Sequence, residues 1–147
     1  MNKGNLRFED ISESSGIAAF GGWKNGITFV DINQDDYLDI YITRGGFIDD
    51  PNLNSNLLFV NQKNLQFKEE ARYYKIDDPG FSIASSFFDY DNDGDLDLVV
   101  NNVDDAAVLY RNNNKEQNNS MRVKLVDYPD NKDGIGSKVQ LEESDNQ

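Results

Sequence analysis

Cysteine and histidine are both absent from this sequence. Without cysteine there is no disulfide and no thiol chemistry. Without histidine the chain lacks the usual general base, the usual zinc ligand and every Ser-His or Cys-His pairing. Cations are scarce beside the acids: 14 Lys and Arg face 27 Asp and Glu, for a net charge of −13. Such a surface repels nucleic acid and anionic membranes, since phosphate binding needs clustered Lys and Arg. No apolar run approaches the roughly 18 residues that span a bilayer. The opening Met1-Asn-Lys-Gly-Asn-Leu6 also lacks the apolar core of a signal peptide, so either an export signal has been removed or the protein is intracellular. Hydrophobic residues make up only 37%, yet nine Phe and seven Tyr are present. That balance favours aromatic-rich strands over disorder. The 147 residues leave room for one ordinary domain.

What the chain does have is an unusually acidic loop, Asp89-Tyr-Asp-Asn-Asp-Gly-Asp-Leu-Asp97. It places side-chain oxygens at positions 1, 3, 5 and 9. Two carboxylates about 4 Å apart repel by roughly 4 kcal/mol at an effective dielectric near 20. A hard cation removes that repulsion, and Ca²⁺ takes about 6–8 oxygens in flexible geometry. The expected ligands are the side chains of Asp89, Asp91, Asp93 and Asp97 with the carbonyl of Asp95. Gly94 falls where the chain must turn sharply, a conformation that costs glycine least. An acidic, solvated turn without a metal is the plainer alternative.

The same register occurs 58 residues earlier, in Asp31-Ile-Asn-Gln-Asp-Asp-Tyr-Leu-Asp39. Here the ligand set is Asp31, Asn33, Asp35, the carbonyl of Tyr37, and Asp39. Asn33 is neutral, and Asp36 replaces the glycine. A non-glycine residue in the left-handed region costs roughly 1–2 kcal/mol, with Asp among the least penalised. Two Ca²⁺ sites are therefore expected, the second stronger than the first.

A helical EF-hand is excluded, because it needs a bidentate acid at position 12. That position is Ile42 in one copy and Val100 in the other. The flanks Leu38-Asp-Ile-Tyr-Ile-Thr43 and Leu96-Asp-Leu-Val-Val100 read as strands, so each loop joins two strands of a hairpin.

A longer repeat surrounds the loops. Asn56-Leu-Leu-Phe-Val-Asn61 matches Ala107-Val-Leu-Tyr-Arg-Asn112, and Leu6-Arg-Phe-Glu-Asp-Ile11 matches the segment from Leu65 to Ala71. The complete copy predicts strands near residues 26–32, 38–44, 56–62 and 65–71, while Gly45–Pro51 is an insertion forming a surface loop. Strands at a period of about 50–60 residues point to propeller blades or a related β-repeat. The expected architecture is all-β: a partial unit over 1–17, blade units over 18–76 and 77–113, a polar linker over 114–119, and a β-hairpin segment over 120–147. The last rests on Met121-Arg-Val-Lys-Leu-Val126 and Ser137-Lys-Val-Gln-Leu-Glu142 around a Gly-, Asp- and Pro-containing turn.

The two loops, with Phe20-Gly-Gly-Trp23 before the first and Asn56–Asn61 after it, resemble FG-GAP/VCBS calcium-loop repeats. The tail, Met121–Val126 followed by Asn131-Lys-Asp-Gly-Ile-Gly-Ser-Lys-Val139, resembles the opening of an ASPIC/UnbV domain. The resemblance covers nearly the whole chain. It implies a Ca²⁺-binding β-propeller that is secreted, periplasmic or on a cell surface, with metal ligands at the positions already named. Propellers close with about four to eight blades, whereas this chain holds roughly two and a half units by its own period. The remaining blades of a parent chain, or self-association, would cover its exposed faces.

The leading functional expectation is a non-enzymatic, calcium-stabilised module that binds a protein or glycan, with no nucleic-acid partner and no direct membrane insertion. Trp23 and Phe47 are candidate exposed aromatics, although a Trp is more often buried. A part of a secreted polysaccharide-acting enzyme and a purely structural spacer are the alternatives. Ser82 has no base partner and is expected in a strand or turn.

Overall fold

Short runs of β-branched and aromatic residues, interrupted by Gly- and Asp-rich turns, fold into seven antiparallel strands among the described residues. In the computed structural model, residues 1–18, 20–46, 50–113, 123–126 and 131–140 are described. Strands β1 (Lys24–Val30), β2 (Asp39–Arg44), β3 (Leu57–Asn61) and β4 (Phe67–Glu69) form one sheet in sequential order. Strands β5 (Ser82–Phe88), β6 (Asp97–Asn102) and β7 (Val108–Tyr110) form the other, also in sequential order. Two single-turn helices, α1 (Pro51–Asn54) and α2 (Ala71–Tyr74), complete the described elements. The protein is all-β.

The sheets repeat one another pair by pair. Ile27 pairs with Ile42 and Thr28 with Tyr41; 58 residues on, Ser85 pairs with Val100 and Ser86 with Val99. Tyr41 opposite Leu58 becomes Val99 opposite Leu109. Even the register irregularity recurs, between Lys24 and Gly26 and between Ser82 and Ala84. The insertion lies between β2 and β3. Pro51–Asn54 forms α1, and residues 47–49, with Phe47, lie outside those described.

The core lies between the two sheets. Tyr41, Leu58 and Val60 of the first pack with Leu98 and Val100 of the second, closed by Ala71 and Ile76. The Tyr41 ring meets Phe87 edge-on, with centroids 5.8 Å apart. Small residues let β1 and β5 approach. A Cβ on Gly26 would lie 2.8 Å from Thr43 Oγ1 and 3.0 Å from the Ile83 carbonyl. Thr28 Oγ1 donates to the Ser85 carbonyl at 3.1 Å.

Polar groups inside this core are paired, as burial requires. The Tyr41 hydroxyl donates to the Ile76 carbonyl at 2.8 Å. Asn56 Nδ2 donates to Tyr41 Oη at 3.1 Å and to Ser82 Oγ at 2.9 Å. Ser82 is thus a buried strand residue whose hydroxyl donates on to Asn102 Oδ1 at 2.8 Å. Arg44, 3% exposed, donates to the carbonyls of Ser55, Gly21 and Asn52, and burial pulls its pKa below the ordinary value.

Trp23, a candidate exposed aromatic, does not take the burial commoner for Trp. It precedes β1 and is 64% exposed, because it rests on the glycine surface of Gly46 at the start of the insertion instead of entering the core.

The chain divides into two compact units, Met1–Gln117 and Asn118–Gln147. In the second, residues 131–137 form the expected turn. Gly134 N donates to the Asn131 carbonyl at 2.9 Å and Ile135 N to Asn131 Oδ1 at 2.8 Å. Among the described residues there, none is in a strand, so the hairpin pairing expected for 120–147 is not seen. The polar linker expected over 114–119 lies outside the described residues.

Candidate metal centre

Each acidic loop connects the first two strands of its sheet, β1 to β2 and β5 to β6. Both reach their hairpin through the same left-handed steps. In the first, φ is +57° at Gln34 and +68° at Asp36; in the second, +66° at Asn92 and +97° at Gly94. These steps curl the chain so that alternate side chains face inward. Asp36 does adopt the conformation that costs a non-glycine residue energy.

The ninth-position acids are latches before they are ligands. Asp97 is fully buried, and its two oxygens accept hydrogen bonds from Tyr90 N at 3.0 Å and Asn112 N at 2.8 Å. Asp39, equally buried, accepts from Ile32 N at 3.0 Å and Asn61 N at 2.7 Å. Each carboxylate therefore ties the loop's second residue to the third strand of its sheet, at Asn61 ending β3 and at Asn112 just past β7. Asn61 and Asn112 return the contact, donating to the carbonyls of Leu38 and Leu96. Burial raises the Asp39 pKa; the Asn61 and Ile32 amides oppose the rise, and the charges of Asp31 and Asp35 add to it.

Asp89, Asp91 and Asp97 converge. One carboxylate oxygen from each lies within 4.8 Å of the others, and Asp89 Oδ1 is shut off from solvent. With Ca²⁺–oxygen distances of about 2.3–2.6 Å, ligands on opposite sides of one ion are at most about 5 Å apart. Donor type and spacing both fit a hard divalent cation. Asp93 stands outside the trio. Its Oδ1 accepts from Asp95 N at 3.1 Å, and its Oδ2 lies 3.4 Å from Arg111 Nη2. The Asp95 amide and then Arg111 hold its pKa below the usual carboxylate range. Arg111 Nε also lies 2.8 Å from Asp91 Oδ2, so part of the loop's charge already has an internal counterion.

Loop 31–39 is organised around its own backbone. Asp31 accepts from Asp35 N at 3.0 Å and Asp36 N at 2.9 Å, one through each oxygen. Asp35 Oδ1 accepts from Tyr37 N at 3.0 Å, and Asn33 Nδ2 donates to Asp35 Oδ2 at 3.3 Å. Among the described residues, the trio at 89, 91 and 97 is the group of acids close enough to share an ion. The two loops also touch: Gln34 Nε2 donates to Asp95 Oδ1 at 3.1 Å. Neither Arg111 nor Gln34 stood out in the sequence, because their partners lie in other segments of the chain.

A cleft of about 590 Å³ opens beside the loops, lined by Tyr73, Tyr74, Tyr110 and Arg111 among others. Tyr110 donates from its hydroxyl to Asp78 Oδ2 at 3.0 Å. No helix among the described residues is long and apolar enough to cross a membrane. No protein-family model and no curated protein matches the chain.

Proposed function

We propose that the chain is a calcium-binding, calcium-stabilised β-repeat module of the FG-GAP/VCBS type, serving a binding or adhesive role outside the cell. The observation that carries this reading is the convergence of Asp89, Asp91 and Asp97 within 4.8 Å, in a loop whose latch is duplicated at Asp39. Asp89, Asp91 and Asp97 would hold the ion, with Asp93 and the Asp95 carbonyl as further oxygens. Loop 31–39 would be the weaker site. The ion's contribution is charge neutralisation of a crowded loop, so its binding free energy adds to fold stability. Extracellular calcium modules work at dissociation constants of about 10⁻⁴–10⁻³ M, an affinity that suits a site with an internal Arg111 counterion.

Non-catalytic recognition accords with the lack of histidine and cysteine and with acids committed to loop and latch geometry. Trp23 supports a partner-contacting role, being 64% exposed beside the insertion, and exposed Trp is enriched at interfaces. The sheets would then be propeller-type blades.

Thermal melts in EDTA and in Ca²⁺ test the reading. Calcium at about 100 times its dissociation constant adds about 2.7 kcal/mol, and Asp89→Ala removes most of that gain. An identical melting temperature with and without calcium defeats the proposal. A glycan and matrix-protein binding screen, repeated in EDTA and with Trp23→Ala, tests the adhesive part; ligand turnover would point to an enzyme instead.

A further inference from the structure

Arg111 lies against two of the acids that would take the ion, and it holds oxygens they would use. Its Nε is 2.8 Å from Asp91 Oδ2 and its Nη2 3.4 Å from Asp93 Oδ2. The other oxygen of each carboxylate is engaged by the loop backbone. Asp93 N donates to Asp91 Oδ1 at 3.3 Å, and Asp95 N to Asp93 Oδ1 at 3.1 Å. Asp93 thus has one oxygen that the loop's own turn does not use, and the guanidinium faces it. That pairing accounts for Asp93 standing apart while Asp89, Asp91 and Asp97 converge.

The fold keeps this cation in place. Arg111 follows β7, and the amide of the next residue, Asn112, donates to the buried Asp97 at 2.8 Å, so the backbone cannot carry the side chain away. The side chain itself is 53% exposed. It also lines the cleft with Tyr73 and Tyr74, which gives it somewhere to turn. The first repeat is built differently. Ile40 opposite Phe59 corresponds to Leu98 opposite Tyr110, so Val60 stands at the position of Arg111, and Val60 is buried in the core. Of the ion pairs among the described residues, none reaches loop 31–39. Lys63, near that loop, lies over the Tyr37 ring at 5.1 Å from its centroid.

Resting on the calcium reading above, we propose that Arg111 is a built-in competitor of the ion at loop 89–97. Calcium binds as the guanidinium leaves Asp91 and Asp93 for the cleft, and Asp93 Oδ2 becomes available as a further ligand oxygen. Like charges repel at short range, so the ion has to displace the ion pair and then tolerate the cation nearby. Arg111 thereby sets the calcium range in which the loop fills. It neutralises the crowded acids when calcium is scarce and yields when calcium is abundant.

The test is a calcium titration of the full chain followed by NMR. It reads the amides of loop 89–97 separately from those of loop 31–39, with the shifts of β1 to β4 certifying the fold. Arg111→Gln should tighten calcium at loop 89–97 by about fivefold, the scale of a partly exposed ion pair, and leave loop 31–39 unchanged. Arg111→Lys, which keeps the charge, should stay near the wild type; a purely steric role would move both variants alike. The wild-type Arg111 Nε–H signal should shift with the same midpoint as the loop amides. In the Asp89→Ala background the effect of Arg111→Gln on calcium should vanish. Calcium bound by Arg111→Gln at equal or weaker affinity overturns this inference and leaves the calcium reading standing. An absence of any calcium-dependent shift in loop 89–97, in wild type and variant alike, overturns both.

Discussion

A buried carboxylate that accepts two backbone amides does work that no metal is needed for. Asp97 holds Tyr90 N and Asn112 N, and removing it leaves both amides to be satisfied elsewhere. Each unsatisfied buried donor costs about 1–3 kcal/mol, so Asp97→Ala should lose about 3 kcal/mol even in EDTA. Urea unfolding in the presence of chelator measures this apart from any calcium effect, and a loss seen only with calcium would show the latch to be unimportant. Asp36 offers the reverse case. At φ +68° it carries a strain that Asp36→Gly relieves, for an expected gain of about 0.5–1 kcal/mol. The residue types and spacing of both loops were legible in the sequence, and so was the left-handed turn. The division of labour among the acids was not. Asp91 and Asp93 face Arg111, which sits beyond β7, and no spacing rule reports a partner brought in by folding.

At the scale of elements, alternation and turn chemistry identified the hairpins, because each strand pairs with its sequence neighbour. The strands expected near 26–32, 38–44, 56–62 and 65–71 are found at Lys24–Val30, Asp39–Arg44, Leu57–Asn61 and Phe67–Glu69. What escaped was whatever depends on packing between elements. Between the two readings open for Trp23, exposed or buried, the structure selects the exposed one, with its ring beside Gly46. Arg44 could not be foreseen as a buried clamp on three carbonyls. Gly26 is a close-approach glycine: a Cβ there would press on Thr43 Oγ1 and the Ile83 carbonyl. Gly26→Val should therefore wedge β1 from β5, at a cost of about 1–3 kcal/mol for overpacking. A melting temperature unchanged in that variant would contradict the face-to-face joint.

For the whole molecule, alkaline pH is a sharper probe than acid. The Tyr41 hydroxyl is pushed far above its ordinary pKa, chiefly by burial. Tyr110 is pushed the same way by burial and by the neighbouring charge of Asp78. In the unfolded chain both ionise near pH 10. The native state then holds more protons than the unfolded state at high pH, so stability falls as pH rises. Stability from these phenols should be intact below about pH 10 and lost progressively above it. Urea midpoints recorded across that range, against a Tyr41→Phe variant with a flatter profile, check the sign. A wild-type profile no steeper than the variant's would remove Tyr41 as the cause.

The irregularity shared by β1 and β5 decides where the two sheets curve. A bulge sets two residues of one strand against one of its partner, bends that strand and increases its local twist. It falls between Lys24 and Gly26 and again between Ser82 and Ala84, 58 residues apart. The two bends lie against each other, since a Cβ on Gly26 would stand 3.0 Å from the Ile83 carbonyl and 3.6 Å from Ala84 Cα. Matched curvature at that one spot lets two edge strands nest where straight ones would splay.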